Sequence, residues 1–364
     1  MIQKVNHFQK TENLSDKRII SCRAFRLTCI VLLICLNSMA QSSKVVPSTS
    51  PEMDAFLTTN QKLFGSDVIA YAYKDGKIAY KKEIEKEIGD FNGRVQIPAS
   101  VASQWLVAAT IMAYVDEGKI SLDDKVSKYL PIFAKYMKTY ITIRNCLSFT
   151  TGIHADPPGP LKLLEKSKYP DLETEVNAFA SKRDIESNPG TEIFYSPIGP
   201  DIAARVLEVI TKKTFDRCVS DKILRPCKMR GTSFTNDNGL VTNAATGAIT
   251  TASDYINFLG MLLNKGMFEG KQVLSEKSIT DLETIQFPVL PVKYMPKEAS
   301  GLKMGLGCWI DNGSTVTSLN LTGFYPYVDR KLNYAAILVT RKSDEPKKEL
   351  YIQFKQKMDA AIGK

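Results

Sequence analysis

The chain has 364 residues, of which 44% are hydrophobic and 24% are charged, and its formal net charge is +9 at pH 7. This composition predicts a globular protein with enough apolar residues for one large or two modest cores. We identify no basic run interleaved with aromatics, so nucleic acid is not an expected partner. The chain has only two histidines and its cysteine spacing matches no zinc pattern, so we expect no metal and no other cofactor.

The first 40 residues have the composition of an export signal. Basic residues precede the apolar run Leu27 to Leu36, and a small-x-small pattern, Ser38-Met39-Ala40, follows it. The apolar run is too short to span a bilayer comfortably. We therefore predict a signal peptide at 1–40, cleaved near Ala40, a linker at 41–51, and an exported mature chain in the periplasm or secreted, without an integral membrane span. An uncleaved membrane anchor is the alternative.

Removal of the predicted signal lowers the net charge to +5, because residues 1–40 carry six basic and two acidic side chains. This excess supports at most a weak attraction to an anionic envelope surface.

Helical and strand-like segments follow along the mature chain. Alternating apolar residues around Asp75-Gly76 predict a β-hairpin. Apolar spacing of the helical kind predicts longer helices at 52–64, 101–116, 201–211, 252–263 and 346–362, with short helical stretches broken at Pro131 and Gly152. Further strands are predicted at 305–310, 315–321, 325–329 and 334–340.

This order of elements predicts an α+β fold. A hairpin first, helices in the middle, then strands and a last helix favour one antiparallel sheet formed by both chain ends, flanked by helices. We expect one domain at 52–364, with an α/β lobe at about 52–125 and 245–364 and a helical lobe at about 126–244.

Several blocks resemble the serine β-lactamase/DD-peptidase family, which includes penicillin-binding-protein-like members, and within it the branch related to class C β-lactamases. The blocks are PASVASQWLVAATIMAYVDEGK, ISLDDKVSKYL, CLSFTTGI and GAITTASDYINFLGMLLNKG. The resemblance runs from about Met53 to Thr340. It implies a β-lactamase/transpeptidase-like fold and a cleft built around a reactive serine.

The nucleophile motif of that family, S-x-x-K, is not intact in this chain. In relatives the lysine lies one helical turn after the serine, where its amine activates the hydroxyl. An alignment without gaps places Val101 at the serine position and Gln104 at the lysine position. An alignment with one extra residue places Ser100 and Ser103 there instead. Neither alignment provides the lysine.

The second and third motifs are also incomplete. The resemblance identifies Tyr195 as the tyrosine that shares proton transfer, although a packing role for this residue is equally open. The third motif falls on 318–320 or on 321–323, and neither provides the expected cation. The resemblance therefore gives Asn320, Thr322 and Gly323 as candidate substrate-binding residues.

Two functional hypotheses follow from these motifs. The first is a protein that has lost acyl-enzyme chemistry and keeps the cleft for a small-molecule or peptide ligand, such as a cell-wall fragment or an acyl peptide. The second is a weak serine esterase, amidase or β-lactamase-like hydrolase with Ser100 as nucleophile, Tyr195 as base and Ser103 as proton relay. Two further questions stay open, the oligomeric state and whether Cys218 and Cys227 form a disulfide or remain buried thiols.

Overall fold

A central sheet and flanking helices make up the described part of the chain. In this computed structural model the described residues are 50–86, 91–155, 167–235, 239–311, 314–341 and 348–363, so the predicted signal lies outside them. The strands are β1 Val68–Lys74, β2 Lys77–Ile84, β3 Ile97–Pro98, β4 Ile193–Phe194, β5 Ile249–Thr250, β6 Met267–Phe268, β7 Lys271–Gln272, β8 Val292–Tyr294, β9 Lys303–Met304, β10 Trp309–Asp311, β11 Thr315–Thr317, β12 Phe324–Asp329 and β13 Tyr334–Thr340. The helices are α1 Pro51–Thr59, α2 Ser103–Asp116, α3 Ile132–Lys135, α4 Ile143–Leu147, α5 Leu172–Lys182, α6 Ile198–Thr211, α7 Phe215–Val219, α8 Ala252–Leu263, α9 Glu276–Glu283 and α10 Lys348–Ile362.

The central sheet has seven strands in the order β2-β1-β13-β12-β11-β10-β9. The first strand pairs antiparallel with the last, and Tyr71 lies opposite Ile337. Both chain ends therefore contribute to one antiparallel sheet, which confirms the predicted α+β class and the predicted origin of the sheet.

The turn between β1 and β2 explains why the hairpin could be predicted. Asp75 has a φ of 51° and Gly76 a φ of 78°. Two successive residues with positive φ match the right-handed twist of the flanking strands, and Asp-Gly adopts this geometry readily. The sequence signal and the backbone geometry thus agree at this position.

Side chains alternate between the two faces of the sheet, and each face has its own core. On one face, β1 contributes Val68 and Ala70, which pack with residues of α1 and α10. On the other face, Ile69 and Tyr71 pack with residues of α8 and α2. The sheet is thus covered by helices on both sides, and α2 extends from its inner layer toward the helices of the middle of the chain.

Helix α6 is the centre of those middle helices, since it contacts α2, α4, α5 and α7.

The division of the domain into an α/β lobe and a helical lobe, with bounds at about 126 and 244, stays a prediction. Among the described residues, no helix combines the length and the apolar character needed to cross a membrane.

The observed elements differ from the predicted ones at a few places. Helix α8 and strand β13 have the predicted bounds, whereas α5, α7 and α9 were not predicted. The strand predicted at 305–310 was wrong at its start, because β10 begins at Trp309. Gly307 has a φ of 66°, and this glycine lies so close to α2 that a Cβ atom would be 2.5 Å from the Gln104 carbonyl oxygen. The residues before Trp309 therefore form a turn.

Candidate active site

The turn that leads into α2 holds Ser100 in a left-handed backbone conformation. Ser100 has a φ of 52°, a region that is costly for residues other than glycine. It is 4% exposed, and its hydroxyl has no hydrogen-bond partner within the described chain. No described side-chain base therefore contacts the Ser100 hydroxyl.

The next residue, Val101, belongs to an apolar group that we call the Tyr195 cluster. Its members are all buried and are Val101, Phe149, Ile193, Tyr195, Ala299, Met304, Trp309 and Leu319. The centroid of the Tyr195 ring lies 4.6 Å from that of Phe149 and 5.4 Å from that of Trp309. Aromatic and aliphatic surface therefore surrounds the first turn of this helix.

Gln104 is the side chain that contacts the Tyr195 hydroxyl. The Tyr195 hydroxyl donates to Gln104 Oε1 over 2.9 Å, and the Gln104 Nε2 atom is buried without a hydrogen-bond partner in the described chain. Burial raises the pKa of Tyr195, and the hydrogen bond with Gln104 opposes this only in part. Because the phenol keeps its proton near neutral pH, Tyr195 is a poor general base.

Ser103 makes two hydrogen bonds with backbone groups. Its hydroxyl donates to the Ser100 carbonyl oxygen over 2.6 Å and accepts from the Ala248 N–H over 3.1 Å. These bonds join the start of α2 to the chain segment before β5. They also leave Ser103 without a described hydrogen bond to the Ser100 hydroxyl or to Tyr195.

The predicted third-motif residues lie beyond the end of β11, in its connection to β12. Asn320 Oδ1 accepts from the Gly323 N–H over 2.9 Å. Gly323 has a φ of 80°, and a Cβ atom there would lie 2.1 Å from Thr340 Oγ1. Thr322 is half-buried. The bond between Asn320 and Gly323 closes a turn after β11. The substrate-binding role of Asn320, Thr322 and Gly323 stays a prediction.

Residues 290–304, which we call the covering segment, pack over the Tyr195 cluster. Strand β8 of this segment pairs in parallel with β4, which directly precedes Tyr195. The Ile193 N–H donates to the Pro291 carbonyl over 2.9 Å, and the Tyr195 N–H donates to the Tyr294 carbonyl over 3.1 Å. The side chains that reach the cluster are those of Leu290, Tyr294, Met295, Ala299, Leu302 and Met304. No sequence pattern indicated that this segment contacts the cluster.

A histidine with two carboxylate neighbours lies beside β4. His154 Nδ1 is 2.9 Å from Glu186 Oε2, and its Nε2 is 2.5 Å from Glu192 Oε1. Its ring stacks on Phe194 at 4.3 Å. Among the described residues no group of three or more His, Cys, Asp or Glu side chains is arranged to hold a metal ion. The stacking of His154 on Phe194 ties the histidine to β4.

Comparisons with solved structures show the fold. A protein from Bacteroides dorei DSM 17855, provisionally described as a beta-lactamase, superposes with a TM-score of 0.74 at 22% identity, covering 86% of this chain and 98% of that chain. EstCE1, described as a hydrolase with promiscuous acyltransferase activity, superposes with a TM-score of 0.68 at 17% identity, covering 85% of this chain and 99% of its own.

A family model shows the family, and curated relatives are similar to this chain. The D-alanyl-D-alanine-carboxypeptidase/endopeptidase AmpH of Escherichia coli (strain K12) is 20% identical over 303 residues, which cover 75% of this chain and 78% of AmpH. A provisionally described D-alanyl-D-alanine carboxypeptidase of the same strain is 23% identical over 56% of this chain, and the match spans about half of that protein, 54%. The Beta-lactamase family model matches residues 102–354. The chain therefore belongs to the serine β-lactamase/DD-peptidase family and has its β-lactamase/transpeptidase-like fold.

Proposed function

We propose that this chain is a β-lactamase-related protein that has lost acyl-enzyme chemistry. The observation that carries the proposal is the buried hydrogen bond between Tyr195 and Gln104. Gln104 lies one helical turn after Val101. It favours the alignment without gaps, in which Val101 replaces the family's serine and Gln104 replaces its lysine.

The chemical consequence of these replacements is severe. Val101 carries no nucleophilic atom, and the amide of Gln104 does not accept a proton near neutral pH. Loss of a general base costs roughly 10²–10⁴-fold in rate. Loss of a serine nucleophile costs on the order of 10⁶-fold in a well-studied protease. We therefore propose that hydrolysis by this chain is absent or strongly impaired.

A weak serine hydrolase that acts through Ser100 is the second candidate function. It is favoured by the Ser100 hydroxyl, which has no hydrogen-bond partner in the described chain. It requires Tyr195 to ionise and accept the proton, and burial opposes that ionisation. Ser103 would have to give up its bond with the Ser100 carbonyl or the Ala248 N–H to relay a proton.

Intact-mass measurement tests the two candidates. Residues 41–364 are incubated with a fluorophosphonate probe and, separately, with a penicillin. The parent chain is expected to form no adduct, and Ser100→Ala is the matched control. An adduct on the parent that disappears in Ser100→Ala would overturn the proposal and establish the second candidate. A Val101→Ser/Gln104→Lys variant, checked for folding by thermal melting, is expected to acquire an adduct at position 101.

We further propose that any retained ligand is a cell-wall or acyl peptide bound beside the Tyr195 cluster. Support comes from relatives described as D-alanyl-D-alanine carboxypeptidases. Such a ligand would have to displace the covering segment, because that segment occupies the space over Tyr195. Calorimetric titration with an acetylated peptide ending in D-alanyl-D-alanine tests this proposal, and absence of binding would contradict it.

We also propose that residues 1–40 are an export signal and that the mature chain is periplasmic or secreted. The basic residues, apolar run and small-x-small sequence of this segment support the proposal. Intact mass of the protein recovered from the cell envelope or medium tests it. A mature N-terminus at Gln41 is expected, and a full-length chain held in the membrane would overturn it.

A further inference from the structure

A stretch around α3 combines basic and aromatic residues on the surface. Residues 125–144 contain no acidic residue, and their basic residues are Lys125, Lys128, Lys135, Lys138 and Arg144. The basic residues do not form a continuous run in the sequence, because apolar residues separate them. We call residues 125–140 the basic-aromatic loop.

Large apolar side chains project from this loop into solvent. Met137 is 84% exposed, Tyr140 is 72% exposed and Tyr136 is 38% exposed. Isolated apolar residues on a surface need no explanation, but these three lie within five consecutive residues. Clustered exposed apolar side chains are typical of surfaces that contact a partner or a lipid bilayer.

Cations lie directly against these rings. The Lys125 ammonium is 5.0 Å from the centroid of the Tyr140 ring, and the Lys135 ammonium is 5.7 Å from that of Tyr136. The Ser127 hydroxyl donates to the Thr139 carbonyl over 3.2 Å and joins the two halves of the loop. The positive charges and the apolar groups therefore belong to one surface.

The available positive charge resides on Lys125 and Lys135. Lys128 pairs with Asp124, and Arg144 pairs with Asp123. Lys125 and Lys135 form no ion pair with a carboxylate of the described chain. Both are exposed, so their charge is available to an external anion.

A buried lysine fixes the tip of the loop. The Lys138 ammonium donates to the Ala180 carbonyl over 2.9 Å and to the Tyr136 carbonyl over 3.3 Å. It thereby ties the loop to α5, while Met137 adopts a left-handed φ of 61°. A loop held in this way loses little conformational entropy when it binds, which favours association.

We propose that the basic-aromatic loop docks on an anionic lipid bilayer. Met137 and Tyr140 enter the headgroup region, where amphipathic rings and thioethers are well accommodated, and Lys125 and Lys135 contact lipid phosphates. The contact is peripheral and reversible, since only two apolar side chains enter. It is independent of the proposed loss of chemistry at Tyr195.

Co-sedimentation with vesicles tests the proposal on residues 47–364, which form one compact unit. The probes are vesicles of phosphatidylcholine with 30% phosphatidylglycerol and vesicles of phosphatidylcholine alone. The parent chain is expected to bind the anionic vesicles selectively. Lys125→Glu/Lys135→Glu and Met137→Asp/Tyr140→Ser are each expected to lower the partition coefficient about tenfold or more.

Matched controls change equally exposed residues elsewhere on the chain. Lys271→Glu/Lys331→Glu makes the same charge change, and Val289→Asp replaces an apolar residue that is 89% exposed. Both controls are expected to bind as the parent does. The proposal is overturned if the parent shows no preference for anionic vesicles, or if the controls lose binding as the loop variants do. It is also overturned if an oligothymidylate binds as tightly and Met137→Asp/Tyr140→Ser has no effect on vesicle binding, because the loop would then be a general polyanion site.

Discussion

The Tyr195 hydroxyl and the Gln104 side-chain oxygen share a 2.9 Å hydrogen bond in a buried, aromatic environment. In the proposed alignment without gaps, this bond takes the place that a proton-transfer pair holds in the family. It also leaves the Gln104 Nε2 atom without a described partner. Tyr195 and Gln104 thus form a buried polar contact, and the free energy that this contact contributes to folding can be measured.

Tyr195→Phe and Gln104→Leu are expected to have non-additive effects on stability. Each single change leaves one buried polar group without its partner, which costs about 1–3 kcal/mol. The double variant leaves neither group, so it should be more stable than at least one of the single variants. Urea denaturation of the four proteins measures the coupling. Additive losses would show that the hydrogen bond contributes nothing.

Gly307→Ala is expected to destabilise the fold more than Gly301→Ala. Both glycines have positive φ, 66° and 86°, so both changes carry the cost of a left-handed alanine, about 1–2 kcal/mol. At Gly307 the new Cβ would also lie 2.5 Å from the Gln104 carbonyl oxygen, whereas nothing lies within 4 Å at Gly301. Thermal melting compares them, and equal losses would contradict the close approach to α2.

The buried carboxyl groups of Glu175 and Asp201 are expected to make stability depend on pH. Burial raises the pKa of Glu175 from 4.5 to about 7. Burial also raises the pKa of Asp201, and the nearby Glu175 charge adds to this. The folded chain thus keeps a proton on Glu175 that the unfolded chain releases. The free energy of unfolding should therefore fall as pH rises from about 4.5 to about 7, by roughly 3 kcal/mol for this group.

Glu175→Gln isolates that contribution, because glutamine resembles the protonated acid at every pH. The variant is expected to match the parent near pH 4 and to be more stable than the parent at pH 8. Glu173→Gln, two residues earlier on α5, is the control, since the Glu173 side chain is 58% exposed. A stability difference between parent and Glu175→Gln that does not change with pH would refute the assignment.

The four cysteines of the described chain are expected to be free and unreactive in the native state. Cys146, Cys218, Cys227 and Cys308 are buried and unpaired. Burial raises the pKa of Cys227 to about 12, which suppresses its reactive thiolate. Ellman's reagent should therefore detect no thiol in native residues 41–364 and four after denaturation without reductant. Two thiols after denaturation would indicate a disulfide, with Cys218 and Cys227 the first pair to examine.

The parts of the fold that could be predicted are those in which a local signal determines the structure. The Asp75-Gly76 turn sets the β1–β2 hairpin. The apolar residues of Ala252 to Leu263 recur with helical spacing, in a helix of which ten of the twelve residues are buried. Helix α9 was missed because it is short and mostly polar, and only three of its residues are buried: Ser278, Ile279 and Leu282.

The candidate site could be predicted only in part, because only some of its residues belong to a local sequence motif. Family motifs located Tyr195 and offered two alignments for the start of α2, but no local pattern says which side chain reaches the Tyr195 hydroxyl. The covering segment could not be predicted, because its contact with β4 depends on a strand pairing between residues that are distant in sequence. The third motif was placed at 318–323, whereas β11 already ends at Thr317.

The pairing of β8 with β4 also bears on which part of the molecule opens first. Ligand-binding regions are usually drawn from the least stable parts of a fold, where backbone amides exchange with solvent readily. Here the amides of Ile193 and Tyr195 are hydrogen-bonded to the covering segment above a buried aromatic group. Exchange of these two amide protons therefore reports directly on displacement of the covering segment, the same displacement that the proposed peptide ligand requires.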